Sequence, residues 1–197
     1  MAIFITADSH HRHRRIILLT NRTPFIRETE DGPFYDVELM DETLIANWNS
    51  VVGPRDTVWH LGDFCLGKDP SVITCRLNGK IHLILGNHDK PKEWRSQPFV
   101  SISSLETIRY NKQKITLCHY GLRTWPGSCR GSLHCYGHSH GRLPGMGRSC
   151  DVGVDTNNFF PYNLDDVIKT LLERTPGDGE RRDWTAIRDD SESMPPL

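Results

Sequence analysis

Five short apolar runs in this chain each break off into a cluster of Asp, Asn or His. Residues 2–7 end at Asp8, with His10 just beyond Ser9. Residues 56–61 end at Gly62-Asp63, and residues 80–85 run into Gly86-Asn87-His88-Asp89. Residues 114–118 end at His119, and residues 132–136 at Gly137-His138-Ser139-His140. Runs of this length, bounded by Gly and polar residues, read as buried strands. In α/β proteins the loops at strand ends converge on one rim, where ligands sit. Five such endings are expected to bring side chains that suit divalent metals to that rim. Histidine is abundant to match, at 10 of 197 residues.

The remaining elements follow from spacing and breakers. Residues 36–52 read as a helix: Val37, Met40, Leu44, Trp48 and Val51 or Val52 recur at helical intervals, and Gly53-Pro54 stops them. Short helices are expected over 14–20 and 70–77, and a last one over 164–172. Residues 106–110 and 114–118 read as a hairpin across Asn111-Lys112-Gln113, and 151–154 as a short strand. Length alone favours one domain, assigned to 1–173. From 174 to 197 the chain turns polar, opening with Pro176-Gly177-Asp178-Gly179, and reads as a mobile or loosely docked tail.

Charge excludes some partners. Lys+Arg is 24 and Asp+Glu 25, a formal net charge of -1, so there is no global attraction to nucleic acid or an anionic membrane. No basic stripe with interleaved aromatics appears, which disfavours long nucleic acid. No run approaches the roughly 20 apolar residues of a membrane span. The first residues lack a basic region, so a cytoplasmic location is expected. Six cysteines without a C-x-x-C pair suit reduced, packed thiols.

The five clusters make chemical sense around a pair of metal ions. Carboxylate oxygen, amide oxygen and neutral imidazole suit Mn, with Fe, Ni or Zn as alternatives. Two ions roughly 3.5–4 Å apart need a bridging ligand, which a carboxylate such as Asp63 supplies. Water bridging such a pair deprotonates near neutral pH and becomes a nucleophile for phosphorus. A general acid for the leaving alkoxide is then worth roughly 10²–10⁴-fold; His88 suits that role, with Asp89 beside it to orient the ring.

In this order, D-x-H, G-D, G-N-H-D, H and G-H-x-H resemble the signature of the calcineurin-like metallophosphoesterase superfamily. Residues 48–52 (WNSVV), 60–64 (HLGDF), 118–120 (CHY) and 151–155 (DVGVD) resemble a subgroup of small bacterial and phage members. The resemblance implies a sandwich of two mixed β-sheets flanked by helices, with metals at one edge. It implies Asp8, His10 and His140 on a first metal, Asn87, His119 and His138 on a second, and Asp63 bridging. It also implies His88 as general acid or phosphate-stabilising donor, with Asp89 as its partner.

Departures shape the substrate reading. After Gly62-Asp63 the chain reads Phe64-Cys65-Leu66-Gly67, without the acid and arginine of the protein-phosphatase branch. His13 matches the subgroup, while His11 and Arg12 replace an aromatic and a glycine. Arg12, Arg14 and Arg15 are therefore candidates for substrate phosphate, as are Arg123 and Arg142 further on. His60, His82 and His134 read as ordinary strand residues, and Asp151 and Asp155 as turn or cap residues. The substrate expected is a small phosphodiester, such as a nucleotide or cyclic nucleotide, with a phosphomonoester as the alternative. A structural zinc on Cys118, Cys135, His138 and His140 is a reading of a different class.

Overall fold

The computed structural model describes residues 1–67, 69–90, 94 and 97–174. Strand β1 (Ile3–Thr6) shows how the layers arise, because alternate side chains point to opposite faces. Ile5, with Ala7 just beyond the strand, packs into a core between two sheets, whereas Phe4 packs against Trp48 and Val58 on the other side. Buried on both faces, β1 reads as a continuous apolar run, as expected of a parallel strand.

Strand β1 pairs in parallel with β4 (Thr57–His60), β4 with β5 (Lys80–Ile84) and β5 with β6 (Ser101–Ser103). Antiparallel β11 (Tyr162–Asn163) closes the far edge of this five-stranded sheet. The second sheet holds β7 (Leu105–Tyr110), β8 (Gln113–Cys118), β9 (Leu133–Tyr136) and β10 (Ser149–Asp151). Strands β8, β9 and β10 run parallel and β7 antiparallel, so both sheets are mixed. Between them Ile5, Leu61 and Ile84 meet Ile115, Leu117, Leu133 and Val152.

Helices cover the outer faces. Helix α1 (Arg14–Leu19) and helix α2 (Val37–Val51) pack Ile16, Ile17, Met40 and Leu44 into a second core. The Asp36 carboxylate caps α2 by accepting from the Leu39 N–H at 2.9 Å. Helix α3 (Ser71–Thr74) is one turn, shorter than the helix expected over 70–77. Helix α4 (Leu164–Leu172) lays Leu164, Val167, Ile168 and Leu171 onto the inter-sheet core.

Three elements depart from the sequence expectation. A hairpin of β2 (Ile26–Thr29) and β3 (Gly32–Tyr35) follows α1, carrying mostly exposed side chains and so no buried-strand signature. The strand expected over 151–154 lies earlier, because the Asp151 carboxylate accepts the Gly153 N–H at 2.8 Å and bends the chain there. The β7–β8 turn holds two residues, Asn111 and Lys112, both at positive φ, and Gln113 already pairs with Tyr110. The expected tail lies outside the described residues beyond Arg174, whose guanidinium donates to the Ser149 carbonyl at 2.9 Å. Among the described residues no helix is long and apolar enough to cross a membrane.

Candidate metal centre

The five clusters leave the C-terminal ends of β1, β4 and β5, adjacent in one sheet, and of β8 and β9, adjacent in the other. Three of the five turn sharply off their strands. Asp8, His10, Asp63, His138 and His140 all adopt left-handed backbone, with φ of 58, 51, 54, 66 and 49°. Non-glycine residues avoid this region, and clustering of such strain marks sites where side-chain placement outweighs backbone comfort. Gly86 is needed for a different reason: a Cβ there would collide with the Asp63 carboxylate.

The turns assemble two ligand groups. Asp8, His10 and His140 bring one donor atom each within 4.8 Å of the others, and Asp63, His119 and His138 do the same. The His119 Nδ1–H donates to the Leu61 carbonyl at 2.8 Å, which aims Nε2 at Asn87 Oδ1 (3.1 Å) and Asp63 Oδ2 (3.5 Å). Asp63 Oδ2 also stands 3.5 Å from His10 Nε2, so this carboxylate lies between the groups. Asp8 Oδ1 and His10 Nε2 are buried with no hydrogen-bond partner among the described residues. Buried polar atoms are almost always paired, so two orphans aimed into a carboxylate–imidazole cluster fit a divalent cation.

Electrostatics agree. Burial pushes the Asp8 carboxyl up to about 7 and pulls the His10 imidazole down to about 2. Burial acts upward on Asp63 too, but hydrogen bonds and charge from His119, the His88 N–H and His10 outweigh it and hold the group well below the ordinary carboxylate range. Burial alone would lower His119, yet Asp63, Asp8 and the Leu61 carbonyl raise it. A buried neutral imidazole and a carboxylate that resists ionisation are both stabilised by a bound cation, which replaces lost hydration.

Neighbouring groups brace the loops, and one of them corrects an expectation. Asp89 does not orient His88: its carboxylate accepts the N–H groups of Asp63 (2.8 Å), Phe64 (3.1 Å) and Gly86 (2.8 Å), fastening two ligand loops together. Side-chain direction is the reason, since Asp89 is buried beneath the rim while His88 is exposed above it. Asp151 does similar work, accepting from Ser139 Oγ (2.7 Å) and the Gly141 N–H (2.9 Å) around the His138–His140 turn. His60 is satisfied in the core as expected: Nε2 contacts Ser9 Oγ at 2.7 Å and Nδ1 accepts the Gly62 N–H. His82 and His134 are likewise partnered, with Ser101 and with Thr116 and Leu122.

A cavity of about 480 Å³ opens over the ligands, walled by His13, Arg15, His88 and Arg142, with Ile16 and Leu19 of α1 at one side. Arg15 and Arg142 are thus where substrate arginines were expected. Arg12, Arg14 and Arg123 are not. The Arg12 side chain lies toward Gly67, while its N–H and the His11 imidazole are held by Asp41. Arg14 sits over the Phe34 ring at 5.6 Å, a cation–π contact. Arg123 lines a separate groove with Tyr136 and Leu143. Arg12 precedes α1 and is held by Asp41, and Arg14 lies over the Phe34 ring, so of this run only Arg15 lines the cavity. The zinc reading also fails on placement: neither ligand group contains cysteine, and Cys135 packs in the inter-sheet core.

Sequence reasoning missed Arg22 and undervalued Asp155. The Arg22 guanidinium is buried against Asp155, and Asp155 Oδ2 accepts from His140 Nδ1 at 2.7 Å. Asp155, expected as a turn or cap residue, instead joins Arg22 to His140.

A two-sheet sandwich that delivers carboxylate and imidazole ligands to one rim defines a metal-binding hydrolase scaffold. The model of the calcineurin-like phosphoesterase family matches residues 1–184, and the chain belongs to this family of metal-dependent phosphoric ester hydrolases. An uncharacterized protein of Methanocaldococcus jannaschii is 32% identical over 183 residues, covering 87% of this chain and 92% of that protein. The gene 66 protein of Mycobacterium phage L5 is 38% identical over 93 residues, 45% of this chain and 40% of that protein. The crystal structure of a protein of unknown function from Aquifex aeolicus shares the fold. It has a TM-score of 0.65 and 24% identity, over 86% of this chain and 98% of that one.

Proposed function

We propose that the chain hydrolyses a small phosphodiester using two divalent cations, with Mn²⁺ favoured by the nitrogen and oxygen donors. Asp8, His10 and His140 would hold one ion, Asn87, His119 and His138 the other, and Asp63 both. When bound, such a pair supplies Lewis acidity to phosphoryl oxygens and lowers the pKa of water. The residues do the rest. Arg15 and Arg142 attract and orient the anion, and the walls around His13 and His88 limit its approach. His88 donates a proton to the departing alkoxide, which a diester cannot expel unaided.

The observation that carries the diester reading is His88 itself, exposed on the wall of a cavity large enough for a group on each side of phosphorus. The charge of Arg15 and Arg142 favours the second reading, a phosphomonoester with its extra negative charge. Reduced cysteines and small-molecule work suit the cytoplasm.

Bis-p-nitrophenyl phosphate and p-nitrophenyl phosphate, assayed across Mn²⁺, Mg²⁺, Ni²⁺ and Zn²⁺, test these readings together. The diester with Mn²⁺ is expected to turn over best. A clear monoester preference overturns the diester reading, and no turnover with any metal overturns the mechanism. Asp63→Asn is expected to lose more in kcat than the roughly 10–100-fold typical of removing a ligand's outer partner while keeping its circular dichroism. Full turnover in that variant removes the bridging role.

A further inference from the structure

The first ligand group rests on something the second lacks. Arg22 donates from Nε to Asp155 Oδ1 (2.8 Å) and from Nη2 to Asp155 Oδ2 (2.9 Å). Nη2 also donates to the Asp8 carbonyl (2.7 Å) and Nη1 to the Ser9 carbonyl (3.1 Å) and Met40 Sδ (3.3 Å). The guanidinium carbon lies 5.8 Å from the centre of the Phe159 ring. Only 1% of Arg22 is exposed. Guanidinium stays charged at any working pH, and this one is buried, so its carboxylate partner cannot swing away without stranding it.

Two ligand loops are therefore tied to one cation. The carbonyls of Asp8 and Ser9 belong to the two peptides that lead into His10, where the backbone is left-handed. Asp155, held by Arg22, accepts a hydrogen bond from His140 Nδ1–H. That bond fixes the ring and its tautomer and leaves Nε2 as the donor atom. In the second group His119 leans on a neutral carbonyl, and His138 is exposed.

We infer that Arg22 and Asp155 are positioning residues for the Asp8–His10–His140 group, and that they make it the tighter of two unequal metal positions. This rests on the two-ion reading above. A carboxylate behind a ligating imidazole raises its basicity, and losing such a partner weakens metal binding by roughly 10–100-fold.

Calorimetric titration of Mn²⁺ into the metal-free full chain tests the inference. Wild type is expected to bind in two steps of different affinity, and His138→Ala should weaken only the looser one. Asp155→Asn should weaken the tighter step by about 10–100-fold and move the looser one by no more than about twofold. Because Asp155→Asn strands a buried guanidinium, the double variant Arg22→Met/Asp155→Asn, which removes both charges at similar volume, is measured alongside. It should show the same selective loss, together with a changed shift and faster exchange of the His140 Nδ1–H signal in the nitrogen-15 correlated spectrum, as a neutral acceptor replaces a charged one. Equal weakening of both steps, or an unchanged tight step in the folded double variant, overturns the inference and leaves the two-ion reading standing. A wild-type chain that takes up no Mn²⁺ overturns that reading itself.

Discussion

Asp89 and His88 are neighbours in sequence with opposite duties. The imidazole faces the cavity, and the carboxylate grips three backbone N–H groups below it. Asp89→Asn leaves too few acceptors for those donors, each unmade bond costing about 1–3 kcal/mol. Thermal melting should drop by several degrees, at about 2–4 °C per kcal/mol for a chain this size, and Mn²⁺ uptake should weaken. A variant that melts and binds metal normally but loses kcat would return Asp89 to an orienting role. The arginines divide similarly. Arg15→Ala and Arg142→Ala are each expected to raise KM for anionic substrates by about tenfold, a charge-assisted hydrogen bond's worth, whereas Arg12→Ala and Arg14→Ala leave it unchanged. Steady-state kinetics on the four variants decide this. All seven candidate ligands were legible in the sequence because Asp, His and Asn recur there at strand ends. Arg22 was not, because its partner lies 133 positions away and a lone arginine before Thr-Pro-Phe carries no pattern.

At the level of elements, β4 does more than fill the sheet. His60, near its end, spans the Ser9 and Gly62 loops and is fully buried. Burial pulls this imidazole down to about 3 from its ordinary 6.5. In the unfolded chain it binds a proton near pH 6.5, and in the folded chain only near 3. Its contribution to stability is therefore complete above 6.5 and is lost progressively as pH falls from 6.5 toward 3, at up to about 1.4 kcal/mol per pH unit. Denaturant unfolding of the metal-free protein from pH 7 to 4 should show this slope, and His60→Gln should flatten it. An unchanged slope would show that other groups set the acid sensitivity. Strands β1, β4, β5, β8 and β9 were readable because apolar runs met polar stops. The β2–β3 hairpin was not, because its outward side chains touch solvent; β6 and β11, at three and two residues, are too short to carry a period.

Across the whole molecule, the sandwich sets residues from both sheets around one rim, and its order was outside the reach of local pattern. Nothing near Ile3 announces that β4 and β11 will flank it; that follows from which apolar faces bury together. The rim also concentrates backbone strain. Of the residues there, His138 is exposed at φ 66°, so His138→Gly removes a ligand and relieves the left-handed turn at once. The metal-free variant is expected to be more stable than wild type by about 1 kcal/mol, measured by chemical denaturation, while its Mn²⁺ uptake falls. A variant less stable than wild type would show that the edge-to-face ring contacts with His119 and Tyr120 outweigh the relief.

The left-handed turns thus set robustness against usefulness at the same positions. A library of this chain sorted by heat resistance without added metal would enrich glycine at position 138, where an exposed histidine stands in a left-handed turn. Its hardiest survivors would be inert, so any breeding programme for a tougher version has to keep the cation in the selection medium.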